Sequence, residues 1–309
     1  MYLAPPPGVL QAITPGGRRL LPYAIPSASP RLDLRTESPM SVPATVPATV
    51  SAATPPATAA PYETSIADAP DRIRAAQRLR HRVFAEEMGA TLHSPVAGHD
   101  IDPVDALADH LIVTETATGD VVGTYRLLPP GRAERLYSDG EFDLTALAAL
   151  RPSLIEAGRS CVHAEHRSGA VINLMWAALA RYTLLSGHRY LAGCASVPLG
   201  DGGAAAAAAW ELGRTRYAAP PNLRVTPHHP WRPAGPGPDA RPNPSLLPPL
   251  LRGYLRIGAW VCGPPAHDPE FDVADFFVLL DMERLNERYR RFFLGDQADG
   301  RAPVAGGRP

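Results

Sequence analysis

Residues 156–185 read EAGRSCVHAEHRSGAVINLMWAALARYTLL and pass from a strand pattern to a helix pattern. Residues 155–163 are small or apolar at most positions and hold no helix-favouring run, which predicts a strand. Residues 170–185 predict an amphipathic helix that ends before Gly187. The apolar residues at helical spacing are Val171, Leu174, Met175, Ala178, Leu179 and Tyr182.

The turn between the strand and the helix consists of Arg167, Ser168, Gly169 and Ala170. Backbone N–H groups at a helix N-terminus carry partial positive charge and can hold a phosphate or pyrophosphate. A strand, an Arg-x-Gly turn and an amphipathic helix together resemble the acyl-thioester-binding element of the GNAT acyltransferase superfamily. The alternative is an ordinary connection between a strand and a helix in another α/β domain.

The amino-acid composition limits the classes of protein to which the chain can belong. The chain has 309 residues, 45% of them hydrophobic, and a formal net charge of -1, so nothing indicates a nucleic-acid partner. All 30 basic residues are arginine, which excludes a catalytic lysine. Three distant cysteines favour reduced thiols in a cytoplasmic protein over a disulfide framework or a zinc site. We expect no signal peptide, no transmembrane helix, no metal and no bound cofactor.

The predicted domain organisation has three parts. Residues 1–64 hold 13 of the 36 prolines among Ala, Thr and Ser, so we predict a disordered tail. Residues 65–296 alternate strands and helices, which predicts one α/β (α+β) domain on a mixed, mostly antiparallel sheet flanked by helices. Residues 297–309 are expected to be a flexible tail. The proline-rich stretch 218–249 is expected to be loop.

Several charged residues lie where apolar ones are expected. Arg80 falls on the apolar face of a helix predicted to start near Pro70, and we interpret it as an arginine whose guanidinium reaches solvent. Residues 99–105 hold three carboxylates, which indicates either a solvated turn or a pocket for a cation; Asp100 is the one expected at the surface. Arg126 lies inside the second of two predicted strands, at 110–114 and 121–128, where an arginine requires a partner.

These residues form an ordered set of motifs: Arg80-x3-Phe84, Asp102-x2-Asp105, Arg126 and Glu156-x2-Arg159. The set resembles the acyl-homoserine lactone synthase family, which transfers an acyl chain from acyl carrier protein to an amine on a GNAT fold. The stretches at 80–90, 100–113 and 156–169 are more similar to the L-ornithine N-acyltransferases that make lyso-ornithine lipid. The resemblance covers about residues 70–295 and implies the same reaction type.

The chemistry assigns a role to each residue type. Acylation of an amine requires a base, and Glu156 is the candidate because a buried carboxylate has a raised pKa. Residues three apart in a regular strand face opposite sides, so Glu156 and Arg159 share one site only if a bulge intervenes, for which Gly158 is a suitable place. A backbone N–H near Val162 is expected to stabilise the oxygen of the thioester. The alternative for Glu156 is a structural partner of Arg159.

The acceptor is expected to be an amino acid, and the resemblance favours ornithine. Arginines pair with its carboxylate and aspartates with its ammonium. The candidate substrate-binding residues are Arg80, Phe84, Asp102, Asp105, His110 and Arg126. His110 is a second candidate base, although a histidine buried at a strand end is the plainer interpretation. Cys161 lacks a paired His and Asp in motif spacing and is interpreted as a buried thiol.

The resemblance implies acyl carrier protein as the donor of a 3-hydroxy fatty acyl group. Its phosphopantetheine is expected along residues 167–170, with Val162 alongside. Arg167, Arg181 and Arg189 are candidates for a basic patch that docks the acidic carrier protein. Because the product is a lipid, we expect a cytoplasmic enzyme with peripheral contact at the inner leaflet.

Three alternatives stay open. An acyl-homoserine-lactone-type synthase, or a synthase acting on another amino acid, would keep the reaction and change the acceptor. The lactone synthases typically carry a tryptophan soon after the first Arg/Phe motif, and residues 88–94 contain none. A coenzyme A-dependent acetyltransferase would change the donor. A catalytically silent module that binds acyl carrier protein is the alternative from a different class.

Overall fold

The computed structural model describes residues 60–233, 244–285 and 287–294. The predicted tails, up to residue 59 and from residue 297, lie outside these ranges, as does part of the predicted proline-rich loop. Within them the chain forms ten strands and five α-helices. The strands are β1 Tyr62–Ile66, β2 Asp109–Glu115, β3 Val121–Leu128, β4 Phe142–Asp143, β5 Leu154–Val162, β6 Tyr190–Pro198, β7 Thr226–Pro227, β8 Trp260–Val261, β9 Ala266–Asp268 and β10 Val273–Asp281. The helices are α1 Pro70–His81, α2 Ala170–Leu185, α3 Ala204–Arg216, α4 Pro249–Ile257 and α5 Glu287–Leu294.

One large sheet carries the fold. Its strand order is β1-β2-β3-β5-β6-β10-β8, and β9 pairs with β10. Every pairing in this sheet is antiparallel except β5 with β6, which α2 connects as a crossover helix. The prediction of a mixed, mostly antiparallel sheet flanked by helices is therefore confirmed. None of the five helices combines the length and hydropathy that a bilayer crossing would require.

The central strand, turn and helix form as the sequence predicts. Helix α2 spans Ala170–Leu185 and buries Val171, Met175, Ala178 and Leu179 against the sheet. Gly169 precedes it with a φ of 101°, a conformation that glycine adopts without steric cost. Leu174, predicted for the buried face, is instead 36% exposed, so the apolar stripe is narrower than predicted.

The parallel pairing of β5 and β6 is short. It joins residues 154–156 to residues 190–192 and then ends. Beyond that point β5 continues beside β3, while β6 stays paired with β10 along its whole length. The two central strands therefore separate towards their C-terminal ends and leave a gap in the middle of the sheet.

Some predicted boundaries need correction. Strand β1 begins at Tyr62, three residues before the predicted domain start, because Tyr62 and Ile66 pack on the core while the backbone pairs with β2. Residues 226–227, predicted as loop, form β7 and pair with β4 in a second small sheet. The helix predicted at 283–293 is a 3-10 turn at Met282–Arg284 followed by α5.

Substitution of Gly193 tests the close approach of strands β5 and β6. A Cβ built on Gly193 would lie 2.1 Å from the backbone oxygen of Ala157, which cannot move aside as a side chain can. We expect Gly193→Ala to destabilise the fold by about 1–3 kcal/mol, the usual range for overpacking. Urea unfolding measures this, with Gly200→Ala as the control because a Cβ there meets nothing within 4 Å. Equal stability of the two variants would contradict the close approach.

Candidate active site

A cavity of about 560 Å³ occupies the gap between β5 and β6. Seven residues singled out from the sequence line it: Phe84, Arg126, Glu156, Arg159, Val162, Arg167 and Gly169. Six others do not: Arg80, Asp102, Asp105, His110, Ser168 and Ala170. The predicted residues thus divide into a group that faces the cavity, a group of buried or half-buried polar residues that supports it, and two residues, Ser168 and Ala170, at the turn before α2.

The supporting group is a network of buried ion pairs centred on Arg80, whose side chain has no solvent exposure. Its Nε donates to Asp100 at 2.8 Å, and its two terminal nitrogens donate to the Asp105 oxygens at 3.0 and 2.7 Å. Asp105 also accepts from Gln77 at 3.0 Å. These hydrogen bonds, together with one from Nη2 to the backbone oxygen of Asp100, direct this guanidinium at acceptors of the chain itself.

The network continues from Asp105 to the cavity wall. Arg126 Nη1 donates to Asp105 at 3.0 Å and to Asp102 at 2.5 Å. Arg159 lies 3.4 Å from Asp102 and 3.2 Å from Asp100. The charges of three arginines and three aspartates therefore balance. Their ion pairs join helix α1, strands β3 and β5, and the 100–105 loop.

This geometry corrects three predictions. Arg80 does not reach solvent: it is the most buried charged side chain of the set. Asp100, expected at the surface, is 3% exposed because Arg80 and Arg159 both approach it. The acidic stretch is not a pocket for a substrate cation, since Asp102 and Asp105 are occupied by Arg80 and Arg126.

A bulge in β5 brings Glu156 and Arg159 to the same cavity. Thr124 pairs with Cys161 but Arg126 pairs with Gly158, so one residue is inserted opposite Tyr125. The bulge lies one residue beyond the predicted Gly158: Arg159 itself has a φ of 52°, the left-handed region that non-glycine residues rarely adopt.

The Arg159 guanidinium lies beside two aromatic rings at the cavity wall. Its central carbon is 5.0 Å from the ring centre of Tyr137 and 5.2 Å from that of Phe271, which are cation–π distances. Phe84 packs edge-on against Phe271, with ring centres 6.0 Å apart, which holds one of these rings in place.

Glu156 is 5% exposed and anchors a neighbouring loop. Its carboxylate accepts hydrogen bonds from Tyr137 N at 2.6 Å, Ser138 N at 2.8 Å and Ser138 Oγ at 2.5 Å. Burial raises the pKa of Glu156 above its ordinary value, against the opposing effect of these hydrogen bonds. The structural role differs from the predicted one, because Glu156 fixes the 137–138 turn and not Arg159.

Other cavity residues were not predicted. Tyr137, Ser138, Glu141, Cys194, Asp268, Phe271 and Asp275 all line it. One signal was available for Asp275, a carboxylate inside a predicted buried strand, which is the same criterion that identified Arg126. The remaining residues lie in loops or behave as ordinary core residues, and nothing in their local pattern sets them apart.

His110 lies outside the cavity, whereas Cys161 lines it but is only 6% exposed. His110 is 1% exposed, and its Nε2 lies 3.2 Å from the backbone oxygen of Asp105, beneath the cavity wall. Burial lowers the pKa of His110. Burial likewise raises the pKa of the Cys161 thiol to about 12, so a thiolate nucleophile is disfavoured at neutral pH.

The turn before α2 forms the rim of the cavity through Arg167 and Gly169. Arg167 donates to the backbone oxygen of Val162 at 3.0 Å and to Glu87 at 2.5 Å, and its side chain stays 47% exposed. Arg189 does not join it: Arg189 precedes β6, at the opposite end of α2, and pairs with Asp281 and Glu283. The predicted three-arginine patch is therefore not one surface.

A smaller apolar cavity of about 40 Å³ adjoins the main one. Both touch Tyr125, Ala157, Trp176 and Tyr254, and the hydroxyl groups of the two tyrosines are in contact between them. Leu179, Ile257, Leu280 and Phe293 continue the apolar wall. The polar site thus leads directly into an apolar interior.

Sequence comparison identifies relatives of this chain. A family model described as an acetyltransferase (GNAT) domain matches residues 79–177. An L-ornithine N(alpha)-acyltransferase of Rhodobacter capsulatus is 36% identical over 253 residues, which cover 76% of this chain and 96% of that protein. One of the same name from Brucella abortus is 35% identical over 251 residues, covering 75% of this chain and 88% of that protein.

Solved structures with a similar chain trace include an N-acyl amino acid synthase from uncultured soil microbes. It is 15% identical with a TM-score of 0.44, covering 78% of this chain and 99% of that one. A coenzyme A-dependent acyl-homoserine lactone synthase is 19% identical with a TM-score of 0.43, covering 74% of this chain and 83% of that one.

Substitution of Asp105 tests whether the buried ion pairs stabilise the fold. Burial alone would raise its pKa, but the hydrogen bond and charge of Arg80, followed by Arg126, outweigh burial and lower the pKa of Asp105 to about 2. Its contribution to stability is therefore present above the ordinary carboxyl pKa and is lost as the pH falls towards 2. We expect Asp105→Asn to lower the free energy of unfolding at neutral pH by about 3–5 kcal/mol, since it leaves a buried arginine under-compensated.

Urea unfolding between pH 7 and pH 2 measures this effect. The exposed Asp120→Asn removes the same charge on the surface and is the control. The difference between Asp105→Asn and the wild type should shrink as the pH approaches 2. A pH-independent difference would show that the ionised carboxylate is not the source of the stability.

Proposed function

The chain belongs to the family of L-ornithine N(alpha)-acyltransferases, and from that membership we propose its reaction: transfer of a 3-hydroxy fatty acyl group from acyl carrier protein to the α-amine of ornithine. The product is lyso-ornithine lipid. One observation supports the proposal above the others. The gap between β5 and β6 holds a buried carboxylate, an arginine edge and an apolar extension within one cavity.

The acceptor carboxylate is assigned to Arg159. The guanidinium is held in place by its two rings and by Asp100 and Asp102, and its side chain is 14% exposed. A carboxylate in the cavity would add to a group that is already ordered, so little side-chain entropy is lost on binding. Arg126 lines the same wall but donates to Asp102 and Asp105, which makes it a support for Arg159.

The base is assigned to Glu156. The amine nitrogen attacks the thioester carbonyl carbon, the C–S bond breaks, and the carrier leaves as a thiol. The proton lost by the amine passes to the Glu156 carboxylate, directly or through one water, while the leaving sulfur takes up a proton. A raised pKa makes this carboxylate a stronger base near neutral pH, as general base catalysis requires.

The donor is assigned to the open edge of β5 and the turn before α2. Val162, Arg167 and Gly169 line the cavity there, beside the N–H groups of the first turn of α2. The pantetheine arm would lie along this edge and place its thioester near Val162. The acyl chain would lie along the apolar residues of the main cavity, among them Ile172, Trp176 and Tyr254, where burial of each methylene contributes about 0.8 kcal/mol.

The dependence of the reaction rate on pH tests whether Glu156 is the general base. The rate of the wild type should fall as the pH drops and the carboxylate is protonated. Glu156→Gln should lower kcat by about 10²–10⁴-fold and remove this dependence. The exposed Glu134→Gln is the control and should retain both the rate and the pH profile.

Ser138→Ala separates catalysis from loop anchoring. It keeps the carboxylate but removes a hydrogen bond that lowers the Glu156 pKa. The fall in rate at low pH should therefore occur at a higher pH than in the wild type. An unchanged profile would contradict Glu156 as the base even if Glu156→Gln were inactive.

The donor is tested with matched acyl-carrier-protein and acyl-coenzyme A substrates. Arg167→Gln should raise KM for acyl carrier protein by at most about fivefold, since exposed charge pairs contribute ~1 kcal/mol or less. KM for ornithine should not change. Arg214→Gln, an exposed arginine on α3 with one acidic partner, is the control. Equal KM values in all three proteins would exclude Arg167 from donor recognition.

A further inference from the structure

A second group of carboxylates lies in the cavity, apart from the buried network. It consists of Glu141 before β4, Asp268 at the end of β9 and Asp275 in β10, and we refer to it as the acidic trio. One carboxylate oxygen from each lies within 4.8 Å of the other two, and all three residues line the cavity. Asp275 is the most enclosed, with 3% exposure.

Two oxygens of the acidic trio are buried without a partner. Asp275 Oδ1 and Glu141 Oε2 accept no hydrogen bond from any described residue. Ser196 hydrogen-bonds Asp275, Cys194 hydrogen-bonds Glu141, and Glu141 and Asp275 hydrogen-bond each other when Glu141 carries a proton. Asp268 accepts from the backbone of residues 270 and 271. Buried polar atoms are nearly always satisfied, so with both carboxylates ionised the two oxygens indicate a missing partner.

The acidic trio has no ion-pair partner among the described residues, although the charge of Arg159 acts on Asp275 from a distance. None of the salt bridges among the described residues involves it, in contrast to Asp100, Asp102 and Asp105. Burial raises the pKa values of both Glu141 and Asp275. Repulsion from Asp275 and Asp268 adds to the rise for Glu141, whereas for Asp275 the hydrogen bond from Ser196 opposes the rise and repulsion from Asp268 adds to it. A carboxylate with a raised pKa destabilises the folded chain at neutral pH, so the acidic trio costs stability where Asp105 contributes it.

We infer that the acidic trio is the subsite for the side-chain ammonium of the acceptor amino acid. The inference rests on the proposed function and adds to it the residues that recognise the side chain. A primary ammonium has three N–H donors, and three carboxylate oxygens up to 4.8 Å apart can each lie about 2.8 Å from one nitrogen. The cation also supplies the charge that the acidic trio lacks.

A divalent metal ion fits these residues less well. Calcium takes six to eight oxygen ligands at about 2.3–2.6 Å, and magnesium requires near-octahedral geometry at about 2.0–2.1 Å. The described residues bring three carboxylates to this point, in a wall that otherwise offers Ser196 and Cys194. A monovalent organic cation needs no further ligands.

The opposite charges of the cavity give the acceptor one orientation. Tyr137 lies between them: its ring stacks on Arg159, and the charge of Asp268 acts on its hydroxyl. An acceptor with its carboxylate at Arg159 and its side-chain ammonium at the acidic trio turns its α-amine towards the wall that holds Glu156. Four carbon atoms separate the two amines of ornithine, so the positions of the two charged groups select the length of the side chain.

The test compares ornithine with norvaline, which has the same carbon chain and no side-chain ammonium. Asp275→Asn and Glu141→Gln keep the size of each residue and remove its ability to ionise. We expect each to raise KM for ornithine at least tenfold and to leave KM for norvaline within twofold. Asp272→Asn is the matched control, because Asp272 is exposed, lies three residues from Asp275, and has a φ of 51° that asparagine also tolerates.

Thermal unfolding of the ligand-free protein supplies a second measurement. Removal of a destabilising charge should leave the midpoint of Asp275→Asn equal to or above that of the wild type. A lower midpoint together with equal losses on ornithine and norvaline would assign Asp275 a structural role and overturn the inference.

Calorimetric titration of each amino acid into the full chain, without donor, separates this inference from the proposed function. If ornithine binds at least tenfold more tightly than norvaline and Asp275→Asn abolishes the difference, the subsite stands even where no acyl transfer occurs. If ornithine is acylated but the variants prefer ornithine over norvaline as strongly as the wild type does, the proposed reaction is supported and the proposed subsite is wrong. A preference for ornithine that EDTA removes and Mg²⁺ or Ca²⁺ restores would make the acidic trio a metal site and overturn the inference.

Discussion

The buried ion pairs of Arg80 hold the rest of the site in place. Helix α1 supplies Arg80, the 100–105 loop supplies the aspartates, and β3 and β5 supply Arg126 and Arg159. Each charge has an oppositely charged partner within the chain, and Gln77 and the backbone N–H of Val104 donate further hydrogen bonds to Asp105 and Asp102, which is the condition under which buried ion pairs are tolerated. Arg159, which belongs to this network, also lines the cavity. The order of Arg159 at the substrate therefore derives from contacts that the substrate never reaches.

The two acidic groups of this protein have opposite energetics. Asp105 is charged because arginines surround it, and its ionisation stabilises the fold. Asp275 is buried and Glu141 is half-buried, and both face one another and Asp268, so their ionisation opposes folding. A chain under selection for stability alone would replace such carboxylates, since surrounding a charge with apolar atoms is costly. Their presence in a cavity is explained by a ligand that completes them.

The parts of the molecule that could be predicted are those set by local pattern. The strand, turn and helix at 154–185 follow from side-chain periodicity and from one glycine at the helix start. The need for a bulge between Glu156 and Arg159 follows from the two-residue repeat of a strand. Charge environment could not be predicted in this way. Arg80 carries the same local signal whether it reaches solvent or pairs with Asp105, and only the fold places residues 100–105 over it. The acidic trio joins positions more than 120 residues apart along the chain, so no window of sequence contains it.

The left-handed backbone of Arg159 connects fold and chemistry. A non-glycine residue in this conformation costs about 1–3 kcal/mol, which must be compensated by its surroundings. Here the compensation comes from Asp100 and Asp102 on one side and the rings of Tyr137 and Phe271 on the other. A glycine at this position would remove the strain and also the guanidinium. The bulge that shifts the register of β5 places Arg159 on the cavity wall together with Glu156, where the pairing of β5 with β6 has already ended. One irregularity in a central strand therefore accounts for the pair of charged groups that face the cavity.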